Sequence, residues 1–408
     1  MSGAGSLTDA YRRIDGLLTA RARDYPRRVE PVWSELLAAI DAVAERLRGE
    51  LEPGAGDSVS RLPAVYDSPV FVVGHRKTGT TLLLDLLDGH PQLVVLPSES
   101  NHFLTFLPQF GRLGADRIVA EAQKWWILRL IIPSGIPPFW AAGRPWELDV
   151  DPYELFSRRL FELDAGNPGR DSLGMAAVAL QAALAESRGV EPSEPSSWVE
   201  KTPGQEHCVD RIVGLYPRAR FVHLLRDPRS IAAAISRLDR ATGHDTDLLG
   251  VGLTVSQSFS AAARNLRKLG EGRYLVLRYE ELVTDPEAVM RRTADFVGIE
   301  WAGSLLTPTV GGVEATSNSA WPARIVTGQI ESRRLELWRE ELDERSSELV
   351  SGITRQAAGR FGYQLPRPRR MRALADVALR RARFALGSRR RAIQARVQRK
   401  IFSSGTSP

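Results

Sequence analysis

The chain has 408 residues, 43% of them hydrophobic, and a formal net charge of +6; that length suffices for a large α/β domain with appendages. Its single cysteine, Cys208, excludes an internal disulfide and a cysteine-based metal cluster, and makes a reducing, cytoplasmic compartment the expectation. From Arg367 onward, 13 Lys or Arg stand against Asp376 alone, a net of +12 that leaves −6 for the rest, so the overall charge does not imply nucleic acid as the partner of the body.

Residues 1–66 read as an N-terminal helical cap and linker. The stretch VWSELLAAIDAVAERLRGEL has helical spacing and is closed by Pro53 and Gly54, and EPGAGDSVSRLP leads out of it. The segment Val70 to Thr81, VFVVGHRKTGTT, then gives a strand buried on both faces, a glycine-bounded loop and, in LLLDLL, an apolar helix face. Such a junction gathers backbone N–H groups and the positive end of a helix dipole, which suits a phosphate. Gly74 and Gly79 bracket four residues as in the nucleotide-binding pattern GxxxxGK[ST], but Thr80 stands where that pattern needs Lys, and the lysine lies inside the loop as Lys77.

Leu93 to Leu96 predict a second strand, with Glu99 in the polar turn beyond it. In an open α/β sheet that places Glu99 beside the anion loop as a candidate general base, with His102 as its competitor. The following segment concentrates Trp125, Trp126, Phe139, Trp140 and Trp146, which fits either ordinary core or the apolar wall of an acceptor pocket. LGMAAVALQAALAES predicts a core helix. WVEKTP predicts a short strand ending in Glu200 and Lys201, with Pro203 opening a helix.

RARFVHLLRDPRSIAAAISR predicts a buried strand, Phe221 to Leu225, and a helix opened by Asp227 and Pro228. Arg226, at the strand end, occupies the place where a magnesium-dependent NTPase keeps an acid. RYLVLRYEELVTDPEAVMRRTADFVGIEW repeats the strand, turn and helix order, and two closing helices follow. No HExxH, Cys/His cluster or GxSxG occurs. The tail, residues 367–408, sets Leu, Val and Phe among arginines at loosely helical spacing; it could lie on an anionic membrane surface or be a solvated basic tail.

Taken in order, GHRKTGTTLL followed by HP, EKTP at 200–203, and FVHLLRDPRSIAAAIS at 221–236 resemble the sulfotransferases that use 3′-phosphoadenosine-5′-phosphosulfate (PAPS), over about Ser68 to Tyr363. The resemblance implies a P-loop-like three-layer α/β/α fold around a central parallel sheet, spanning residues 67–366, with PAPS as donor and no metal. By position, Lys77 matches the loop cation on the 5′-phosphosulfate, and Gly79, Thr80 and Thr81 match the residues that wrap the 5′-phosphate; Arg76 and Thr78 complete that loop. Arg226 matches the arginine on the 3′-phosphate, Glu99 the catalytic glutamate and Lys201 a second lysine near the sulfonyl group.

The sequence departs from the pattern at Ala234, where the family usually has a Ser for the 3′-phosphate; Ser230, one turn earlier, is the first candidate to replace it and Ser236 the second. The implied acceptor is a hydroxyl or amine on a small molecule, a carbohydrate or a lipid-linked compound. An ATP-dependent small-molecule kinase built on the same loop, and a membrane- or nucleic-acid-binding protein acting through the tail, are the competing readings.

Overall fold

The buried runs of the sequence pair edge to edge. The computed structural model of the protein describes residues 42, 45, 62–97, 99–113, 118, 121–122, 125, 150–167, 169–187, 195–241, 243–317, 326–332 and 335–367. Five parallel strands stand in the order β2, β3, β1, β4, β5. They are β1 (Pro69–Val73), β2 (Leu93–Val95), β3 (Ser197–Lys201), β4 (Arg220–Leu225) and β5 (Tyr274–Arg278). β1 lies at the centre, buried at every position, as expected for a Val- and Phe-rich strand covered on both sides.

The described residues of Met1–Arg226 and Ala261–Arg334 form one compact unit, and those of Asp227–Ser260 and Leu335–Pro408 a second. In the first, register decides which side chains share a face: Phe71 stands opposite Glu200 and Phe221, whereas Val72 stands opposite Lys201 and Val222. On the Phe71 face the aromatic rings meet. Phe71 lies edge-on to Trp198 at 5.5 Å and stacks on Phe221 at 5.7 Å. This core is completed by apolar residues of α2 (Val150–Gly166), α3 (Ser172–Ser187) and α4 (Val209–Leu215).

α3 approaches closely because small residues line it. A Cβ at Gly174 would lie 2.7 Å from the Tyr66 ring, and the Gly174 N–H instead donates to Tyr216 Oη at 2.9 Å. α1 (Thr80–Leu87) packs against β1 and β3 with Leu83, Leu84, Leu86 and Leu87 buried, and none of these joins the aromatic core. Helices therefore cover both faces of the sheet, and the expected three layers are observed.

The second unit packs α5 (Pro228–Ala241) against α6 (Glu344–Gly359), whose N-terminus is capped by Asp343 Oδ1 accepting from Ser346 N at 2.7 Å. Arg229 lies 4.0 Å over the Trp338 ring and pairs with Asp227 at 2.6 Å. No described helix is long and apolar enough to cross a membrane.

One expected element starts elsewhere. Pro203 does not open a helix; Gly204 takes a left-handed conformation (φ 93°) and gives its N–H to Gly74 O at 3.0 Å, a short 3₁₀ turn follows, and α4 begins only at Val209. The expected N-terminal cap (apart from residues 42, 45 and 62–66), Trp126, Phe139, Trp140 and Trp146, and the basic tail beyond residue 367 lie outside the described residues.

Candidate active site

The loop after β1 is shaped by backbone that few residues tolerate. Gly74 has φ 146°, and a Cβ there would sit 2.6 Å from Leu224 O; Gly79 has φ 97°, and a Cβ there would meet the Tyr279 ring at 2.4 Å. Between them Lys77 is left-handed (φ 68°). Thr78 folds the turn back on itself, donating from its N (3.2 Å) and Oγ1 (2.7 Å) to His75 O. No side chain caps α1, so the amides of its first turn, at Thr80 and Thr81, have no side-chain acceptor.

Cations crowd this loop. Arg226, 7% exposed at the end of β4, donates from Nη1 to Lys77 O at 3.0 Å and stacks 4.2 Å over Tyr279. Its buried Nε has no hydrogen-bond partner among the described residues. Burial pushes the Lys77 ammonium below the usual lysine range, and Arg76, Lys201 and Arg226 push it the same way, against the pull of Glu99. The cations around Lys77 outnumber the carboxylate beside it, and the orphaned Arg226 donor has the chemistry of a phosphate or sulfate contact. The residues present fit the phosphosulfate donor expected from the sequence.

Glu99 brings an acid to this cluster. It stands beyond β2, its side chain 39% exposed, with Oε1 accepting from Lys201 Nζ at 2.6 Å; the Lys201 side chain is only 4% exposed. Lys201 therefore does not project freely from a strand end. The half-exposed carboxylate lies against a buried ammonium on the same sheet face as Val72, near the end of β1 where the loop begins at Gly74.

His102, three residues on, faces inward. It is 1% exposed, bonds Asp171 Oδ2 through Nε2 at 2.8 Å, and stacks on Phe106 at 5.1 Å. Asp171 Oδ1 also accepts from Tyr216 Oη at 2.5 Å and from Leu173 N at 3.1 Å. Burial pushes the Asp171 carboxyl up, but His102, Tyr216 and the Leu173 amide together leave it below the usual carboxylate range.

The residues expected from the sequence are thus partly gathered: Arg76, Lys77, Thr78, Gly79, Thr80, Thr81, Glu99, Lys201 and Arg226 belong to one unit, and Lys77 senses Arg76, Glu99, Lys201 and Arg226 together. Ser230 belongs to the second unit, on α5, where its Oγ lies 3.4 Å from Leu335 O; Ala234 and Ser236 lie on the same helix. Two polar residues take roles the sequence did not reveal: Asp171, which has no periodic or motif signal, and Glu200, which stands in the EKTP motif and whose place beside Lys201 in an alternating strand marks it as facing the other way.

A parallel α/β sheet thus carries a lysine- and arginine-bearing loop after its central strand, with a carboxylate paired to the lysine of the neighbouring strand. The model of the Sulfotransferase family matches residues 69–303, and the chain belongs to that family. The omega-hydroxy-beta-dihydromenaquinone-9 sulfotransferase Stf3 of Mycobacterium bovis is 25% identical over 58% of this chain and 64% of its own length. Protein-tyrosine sulfotransferase 1 of Danio rerio is 26% identical over 71% of this chain and 67% of its own. A solved sulfotransferase domain from the curacin biosynthetic pathway superposes with a TM-score of 0.45 at 17% identity, covering 75% of this chain and 100% of that domain. The chain spans 64% of the length of the Mycobacterium relative.

Proposed function

We propose that this protein transfers a sulfonyl group from PAPS to a hydroxyl of a small-molecule or lipid-linked acceptor, releasing 3′-phosphoadenosine-5′-phosphate (PAP). The observation that carries this is the cluster of Arg76, Lys77, Lys201 and Arg226 with Glu99 among them. A hydroxyl acceptor is supported by relatives whose names record an omega-hydroxy dihydromenaquinone and a protein tyrosine.

In this reading Gly79, Thr80 and Thr81 hold the 5′-phosphate on loop amides, with Arg76 and Thr78 completing the loop, and Arg226 holds the 3′-phosphate. Lys77 meets the charge that gathers on the leaving phosphate of a loose transition state. One such donor is typically worth about 10²–10³ in rate. Glu99 takes the acceptor's proton as the acceptor oxygen bonds to sulfur and the bond from sulfur to the donor's bridging oxygen breaks. Lys201 neutralises Glu99 before the acceptor arrives and adds positive charge near the transferred group.

The test is a thermal-shift comparison. PAP at a hundred times its dissociation constant should stabilise the folded protein by about 2.7 kcal/mol, while Mg·ATP at the same concentration should do little. Stabilisation by Mg·ATP and none by PAP would overturn the reading in favour of phosphoryl transfer.

A further inference from the structure

The turn that carries Glu99 is held by the strand beside it. Ser100 donates to Glu200 Oε1 from both its backbone N (3.1 Å) and its Oγ (2.6 Å), and Thr202 Oγ1 donates to the same oxygen at 2.6 Å. Thr202 Oγ1 in turn accepts from Asn101 N at 3.0 Å, and His102 N donates to Ser100 Oγ at 3.2 Å. The backbone amides of Ser100, Asn101 and His102 thus end on one carboxyl group, directly or through a single hydroxyl.

That anchoring has something to hold. Asn101 is left-handed at φ 50°, a conformation that costs a non-glycine residue on the order of 1 kcal/mol and persists only where its surroundings fix it. Glu200 is fully buried, and its Oε2 has no hydrogen-bond partner among the described residues. Burial raises its carboxyl above the usual range against the pull of Ser100, Thr202 and Lys201.

Alternation along β3 divides the work. Lys201 points to the Val72 face and grips the Glu99 carboxylate; Glu200 points to the Phe71 face and grips the backbone that follows Glu99. We propose that Glu200 is a positioning residue: through Ser100 and Thr202 it fixes the Glu99 turn so that the Glu99 carboxylate rests on Lys201. This rests on the reading of Glu99 as the base of sulfonyl transfer; Glu200 itself touches no substrate atom.

The variants Glu200→Ala and Glu200→Gln separate this role from bulk packing, because Gln keeps an acceptor for all three donors and has the shape of Glu. Crystal structures should show the pairing of Glu99 with Lys201 lost in Glu200→Ala and kept in Glu200→Gln. In PAP release from PAPS with a phenolic acceptor, kcat should fall on the order of 10²-fold for Ala, as for a misplaced catalytic group, with PAP affinity by calorimetry unchanged. Glu200→Gln should restore most of that loss.

Should Glu200→Ala fail to fold, Thr202→Val and Ser100→Ala each remove part of the same anchoring and should give smaller losses of kcat with PAP affinity intact. A Glu200→Ala structure with Glu99 still on Lys201, a Gln variant as impaired as Ala, or, should Glu200→Ala not fold, Thr202→Val and Ser100→Ala with wild-type kcat overturns the proposal. If the wild-type protein releases no PAP while the Ala structure shows Glu99 displaced, the anchoring stands and the transfer reading falls.

Discussion

Glu99 and His102 lie on one turn, and each is hydrogen-bonded to an ionisable partner at nearly the same distance, 2.6 Å to Lys201 and 2.8 Å to Asp171. They differ in access. The Glu99 side chain is 39% exposed, whereas His102 and Asp171 are 1% and 7% exposed. A base must meet the proton it removes, so exposure separates a reactive pair from a structural one where charge and distance do not. The outer pair is suited to chemistry and the inner pair, bridged by Tyr216 to α3, to holding the helix layer on the sheet.

The largest effect expected from this contrast is on the outer pair. Glu99→Gln keeps the shape and removes the base, and kcat should fall by about 10²–10⁴ with PAP affinity unchanged. A fall of only a few-fold in steady-state PAP release would remove Glu99 from the chemistry. Lys77→Met should cost about 10²–10³ in kcat, because one charge-stabilising donor is lost while the glycine-shaped loop remains. Unlike Glu99→Gln, it should also weaken PAP in calorimetry, and equal affinities for the two variants would erase the distinction.

The inner pair should answer in stability. His102→Leu leaves the buried Asp171 carboxylate without its partner, which typically costs about 3–5 kcal/mol, seen as a lower denaturation midpoint; turnover per folded molecule should stay near wild type. The acid limb gives a second reading. Asp171 is held below its ordinary value, so its contribution is complete above the unfolded value of about 3.9 and is lost as pH falls through the lower folded value. Urea midpoints below about pH 4 should therefore drop less steeply for His102→Leu than for wild type. The smallest effect belongs to Tyr216→Phe, which strands the Gly174 N–H and removes one Asp171 donor, for about 1–3 kcal/mol. No change in midpoint would mean that water replaces the hydroxyl.

Much of this could be read before folding is considered. The loop is local: Gly74, Lys77, Gly79 and the helix opening at Thr80 lie within one short segment, and positive φ angles at the glycines serve the same turn that the spacing announces. Arg226 was legible for a similar reason, as the residue that ends a buried apolar strand. The helix expected at Pro203 failed because the sequence does not reveal that Gly204 N–H is claimed by Gly74 O. Glu200 stood in a recognised motif, yet its role lies in bonds to a residue 100 positions away.

The sequence by itself determined the strands, the glycine-bracketed loop and the kind of charge each candidate residue brings, because hydrophobic runs, glycine conformations and side-chain ionisation are properties of short segments. Only the tertiary structure decided that β3 lies between β1 and β2. That placement brings Lys201 to Glu99, puts Glu200 on the opposite face under the Ser100 turn, and buries His102 against Asp171. Strand order and helix packing arise from the burial of whole faces at once, a condition no single segment carries.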